Sequence, residues 1–95
     1  MERLFIVAYD IQDPKRWRRV FKTMHGYGKW LQLSVFQCRL SRMRYLQMEA
    51  LLGEFVNQKT DHVLILDMGP ADSVKPRVQS IGRPFEPVER IPVIV

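Results

Sequence analysis

Lys29-Trp30-Leu31-Gln32-Leu33-Ser34-Val35-Phe36-Gln37-Cys38-Arg39-Leu40 is the stretch that decides the fold. It is dense in strand-forming residues, yet twelve residues are long for one strand. Strict alternation of apolar and polar positions breaks at Leu33-Ser34. The segment therefore reads as two short strands joined by a tight corner or bulge.

Working outward, each of these strands has a helix on its far side. Upstream, Trp17, Val20, Phe21 and Met24 fall at the i, i+3, i+4, i+7 spacing of a helical stripe. Asp13 suits the N-cap and Pro14 the first helical position. The helix should end near His25, with Gly26 or Gly28 taking the left-handed conformation. Its outer face is Lys15, Arg16, Arg18, Arg19 and Lys22. Downstream, Ser41 caps a second helix predicted to run to about Gln58, with Tyr45, Met48, Leu51, Leu52, Phe55 and Val56 as its stripe. Arg3–Ile11 and Asp61–Met68 are apolar on both faces and read as buried strands. The order is strand, helix, strand, strand, helix, strand, an α+β, ferredoxin-like βαββαβ arrangement with an antiparallel sheet. Two helices cover one face of that sheet, leaving the other for dimer contact or ligand.

The tail differs in kind. Val78–Gly82 reads as a short strand. Pro84, Pro87 and Pro92 then punctuate a segment ending Ile91-Pro92-Val93-Ile94-Val95. Proline removes ladder donors, so this is an edge element. The expected organisation is a ferredoxin-like domain over 1–82 and an extended arm over 83–95. The arm packs as an extra edge strand on the sheet of a partner protomer.

The chain is 95 residues long with 46% apolar content, one small domain with a modest core. A charged fraction of 26% excludes an acidic disordered protein. The longest apolar run, Leu4–Tyr9, is far short of a membrane span. The start of the chain lacks a signal-peptide pattern. Cys38 stands alone, which excludes a disulfide framework and a cysteine-rich zinc site. A reduced, cytoplasmic compartment is the corresponding expectation.

The net charge is +5, and its distribution is uneven. No acid lies between Pro14 and Arg44, a stretch that holds Lys15, Arg16, Arg18, Arg19, Lys22, Lys29, Arg39, Arg42 and Arg44. Such a block attracts phosphate backbone, or it is a solvated basic face, or it pairs with Glu49, Glu54, Glu86 and Glu89 across the fold. The chain lacks a phosphate loop, GxGxxG, HExxH and CxxC. His25 and His62 read as incidental, and Cys38 as a small buried hydrophobe. Asp10 follows an apolar strand where the chain leaves the sheet. It either makes an Asx turn into the next helix or, doubled by a two-fold axis, holds a hard divalent cation. By spacing, Tyr9 and Phe36 read as core before substrate platform.

Tyr9-Asp10-Ile11, the Arg18-Arg19-Val20 helix, Tyr27-Gly28 and Gln32-Leu33-Ser34-Val35-Phe36-Gln37-Cys38 together resemble the CRISPR-associated protein two family, the small partner of the spacer-integration machinery. The motifs fill the first 40 residues, and the layout extends the likeness to about residue 69. Gln37 departs from the glutamate that many members carry, which weakens the case for an acidic second ligand. The resemblance implies a ferredoxin-like homodimer bridging subunits of the integrase, CRISPR-associated protein one, on double-stranded DNA or RNA. It implies metal-dependent endonuclease activity, with Asp10 of each protomer as catalytic residue and ligand to magnesium. It also makes Tyr9 and Phe36 candidates for substrate or interface contact. Arg18 and Arg19 match its basic helix; Lys15 and Arg16 join them as nucleic-acid ligands by charge alone. A ferredoxin-like toxin that cleaves messenger RNA is the alternative.

Overall fold

A computed structural model describes residues 1–84. The elements are β1 (Glu2–Asp10), α1 (Pro14–His25), β2 (Lys29–Gln32), β3 (Val35–Ser41), α2 (Arg42–Phe55) and β4 (His62–Pro70). They form one antiparallel sheet of order β2-β3-β1-β4. This is the expected ferredoxin-like fold. The central strand β1 is apolar on both faces, and the helices cover one of them. Phe5, Val7 and Tyr9 pack toward the helices with Phe36, Cys38 and Leu40 of β3. Leu4, Ile6, Ala8 and Asp10 take the opposite, open face by alternation. Val20 and Met24 of α1 and Met48 and Leu52 of α2 close the core.

The helix starts follow the sequence. Asp13 accepts from the Arg16 N–H at 2.9 Å, and Ser41 accepts from the Arg44 N–H at 3.3 Å. The corner between β2 and β3 is a two-residue turn at Leu33-Ser34, with Leu33 at φ +40°. Two indoles hold it. Trp30 Nε1 donates to the Leu33 carbonyl at 2.9 Å, and Trp17 Nε1 donates to Ser34 Oγ at 2.8 Å.

Three expectations are corrected. Gly26 ends α1 in the right-handed region (φ −80°), and Gly28 is not left-handed either. Gly28 is required for space: a Cβ there would lie 2.5 Å from both Cys38 Sγ and the Gln37 carbonyl. The second helix stops at Phe55, three residues early, because Val56 turns extended. The Asp61 carboxylate accepts the Asn57 N–H at 2.7 Å, diverting the chain from the helix. Val78–Gly82 forms no strand. After β4 the chain turns at 71–73, where the Ala71 N–H donates to the Glu2 carbonyl, and then runs irregularly. Ile81 is 93% exposed, so nothing on the described surface favours a ladder there. The arm proposed for 83–95 lies, from residue 85 on, outside the described residues.

Candidate functional site

The acid-free block does not act as one surface, because the fold brings acids to some of its members. Arg16 is clamped to Asp61, with Nε 2.8 Å from Oδ2 and Nη2 3.2 Å from Oδ1. The Asp61 side chain is 1% exposed. Its pKa is held below the usual aspartate value, first by the Arg16 bond and then by the Asn57 N–H, while the same bond raises the Arg16 guanidinium. Arg39 is bound by Glu2 at 2.8 Å and Asp72 at 2.7 Å. Arg44 lies 4.3 Å from the Tyr27 ring centre and donates to the Gly26 carbonyl at 2.7 Å, covering the C-terminal end of α1. Arg19 lies 5.2 Å from the Phe55 ring centre and so ties α1 to α2.

Lys15, Arg18 and Lys22 remain exposed on α1 without an ion pair among the described residues. Lys29 and Arg42 share that condition. Arg18, Lys22 and Lys29 border a groove with Trp17, Phe21 and Trp30. Sequence reasoning grouped Arg16 with the phosphate ligands. Its acid comes from 45 residues downstream, and no local signal marks that pairing.

Asp10 ends β1 on the open face and is exposed. Among the described residues its carboxylate makes no hydrogen bond; the capping role falls to Asp13. It stands in register with His62, the first residue of β4. Along the same face run Ile6, Leu64 and Leu66, the last two 51% and 47% exposed. Tyr9 and Phe36 point the other way and are core side chains, 7% and 0% exposed, with ring centres 6.3 Å apart. Burial pushes the Tyr9 phenol up to about 12, with a smaller opposing pull from the Ser34 hydroxyl. Both rings lie among the core side chains that the helices cover. Cys38 is fully buried, and burial pushes its thiol up to about 12, so it is not a nucleophile at neutral pH.

The model of the family described as CRISPR associated protein Cas2 matches residues 2–75. The chain belongs to the CRISPR-associated protein Cas2 family. It is 64% identical over 95 residues to a CRISPR-associated endoribonuclease Cas2 of Geobacter sulfurreducens, covering the whole of both chains. It is 55% identical over 94 residues to a second protein of that description from Rhodospirillum rubrum, covering 99% of this chain and 92% of the relative. A crystal structure of a Cas2 protein superposes with a TM-score of 0.77 at 32% identity, covering 96% of this chain and 99% of the other. The family's matched span contains every residue discussed above as a site. No helix among the described residues is long and apolar enough to cross a membrane.

Proposed function

We propose that the chain is a homodimeric nucleic-acid-binding protein of CRISPR spacer acquisition, joined through the open sheet face and gripping duplex backbone on α1. The observation that carries this reading is the open face itself. Ile6, Leu64 and Leu66 form an apolar stripe beside an exposed carboxylate, and a second copy would bury the stripe while doubling the acid. Lys15, Arg18 and Lys22 then appear twice, giving sequence-independent attraction to phosphate. In this reading the dimer spaces two integrase units on the duplex.

The second reading, hydrolysis of RNA or DNA, is favoured by the names of the relatives and by Asp10. One carboxylate is a poor cation site, and within one protomer the described residues hold no cluster of three metal-ligating side chains. Two Asp10 carboxylates across the dimer axis supply the hard oxygen donors that magnesium takes. A bound magnesium would supply a water of lowered pKa and charge stabilisation at phosphorus. The chain's own part is to bind the backbone on α1 and hold the two carboxylates fixed at strand ends. Family membership weighs against the toxin alternative.

Sedimentation of parent and Leu66→Asp chains tests the dimer. The parent should sediment as a dimer and the variant as a folded monomer; a parent that is monomeric at micromolar concentration refutes the reading. Asp10→Asn should abolish metal-dependent cleavage and leave dimer and duplex binding intact. Spacer integration unchanged in that variant would separate the scaffold role from hydrolysis.

A further inference from the structure

We infer that His62 completes the Asp10 site and turns it toward divalent ions that accept nitrogen, manganese before magnesium. The inference rests on the reading of Asp10 as a metal ligand. Asp10 and His62 are direct partners at the last rung of the β1–β4 ladder. Opposed residues in an antiparallel pair hold their Cβ atoms about 4.5–5.5 Å apart and project on one face. The adjacent rung, Tyr9 with Val63, packs toward the helices, so Asp10 and His62 share the open face. Both are exposed. Wherever a dimer places the Asp10 carboxylate, the backbone ladder carries His62 with it.

A carboxylate and an imidazole within one side chain's reach form a mixed oxygen–nitrogen donor pair. Two copies give two of each. Magnesium prefers oxygen alone and gives up its waters reluctantly, whereas first-row transition ions accept imidazole. The neighbouring acid cannot substitute for His62. Asp61 is buried and spent on Arg16 and the Asn57 N–H. The other histidine, His25, sits at the C-terminal end of α1, edge-on to Phe21 and Phe36. It is thus an internal control.

The test uses the full chain and the metal alone. Manganese is titrated into parent, His62→Asn and Asp10→Asn, with free ion read by electron paramagnetic resonance. Histidine ring protons are read in parallel by NMR. His62→Asn should weaken manganese binding by about tenfold or more, on the scale of losing a metal-site partner, and leave magnesium affinity nearly unchanged. In the parent, substoichiometric manganese should broaden the His62 ring signals and spare those of His25. Parent-like manganese affinity in His62→Asn, with binding lost in Asp10→Asn, overturns the His62 role and leaves the Asp10 reading standing. Parent-like affinity in Asp10→Asn overturns both. Equal broadening of the two histidines identifies unspecific binding and also overturns the proposal.

Discussion

Arg16 and Arg18 are two residues apart on one helix, yet the fold pairs only Arg16 with an acid, and under the duplex binding proposed above the salt dependence should separate them. Arg18 is exposed with no acid in reach among the described residues, whereas Arg16 is clamped to an almost buried Asp61. Each phosphate contact contributes about 0.9 to the slope of log affinity against log salt, or roughly 3.5-fold between about 50 and 200 mM. If both protomers engage, Arg18→Ala should flatten the slope by about 1.8, a change of roughly 12-fold over that range. Arg16→Gln should leave the slope within one contact of the parent, because that charge never reached the phosphates. The assay is fluorescence anisotropy with short duplexes of scrambled sequence, so that base readout does not enter. Arg19 should behave between the two, since its guanidinium is shared with the Phe55 ring. An Arg16→Gln slope as flat as that of Arg18→Ala would show that the Asp61 clamp opens on binding. An unchanged slope in Arg18→Ala would remove α1 as the phosphate surface.

Gly28→Ala should destabilise by about 1–3 kcal/mol, because the new methyl meets Cys38 Sγ and the Gln37 carbonyl at 2.5 Å. For a chain of this size that is a fall of about 4–8 °C in Tm per kcal/mol, read by thermal denaturation; an unchanged Tm would mean β2 is free to shift. The depressed Asp61 pKa makes the clamp's contribution complete above the ordinary aspartate value of 3.8 and lost as pH falls through the lower folded value. The stability gap between parent and Arg16→Gln, measured by urea unfolding, should therefore be full at pH 6 and close below pH 3.8; a gap constant with pH refutes the pairing. Leu33→Gly should match or exceed the parent's stability by up to about 1 kcal/mol, since it relieves a left-handed leucine. Cys38, fully buried with its thiol near 12, should react with Ellman's reagent only on unfolding; fast modification of the native chain would contradict its place in the core.

The parts of the fold that were legible in the sequence depend on neighbours close in the chain. Asp13 before Pro14, Ser41 before the second stripe, and the broken alternation at Leu33-Ser34 each mark a local conformational choice. The parts that misled depend on distant partners. The end of α2 is decided by Asp61, which captures the Asn57 N–H. Gly28 is fixed by the backbone of β3, so its position was found while its reason, space rather than handedness, was not. Periodicity placed Arg16 on the outer face of α1, but an outer face is not an unpaired one. Its acid lies 45 residues away, and only the packing of the loop before β4 against α1 brings the two together.

The same pairing gives Asp10 its distinctive setting. Five of the acids in the described residues, Glu2, Asp13, Asp61, Asp67 and Asp72, lie in ion pairs with Arg3, Arg16 and Arg39. Glu49 accepts from the Tyr45 hydroxyl at 3.0 Å. These contacts spend negative charge at the sheet ends, in the loops and on Arg16, and leave Lys15, Arg18 and Lys22 of α1 without an ion pair among the described residues. Glu54 also makes no such contact, but it stands on the outer surface of a helix, where water solvates it. Asp10 differs because its face is apolar: Ile6, Ala8, Leu64 and Leu66 extend from it along β1 and β4. Covering that stripe with a second copy would strip water from the carboxylate, and a buried charge without a partner is costly. A dimer built on this face must therefore supply Asp10 with a cation, a proton or a donor. The first of these makes the carboxylate a metal ligand, and the interface that hides the stripe then also builds the site.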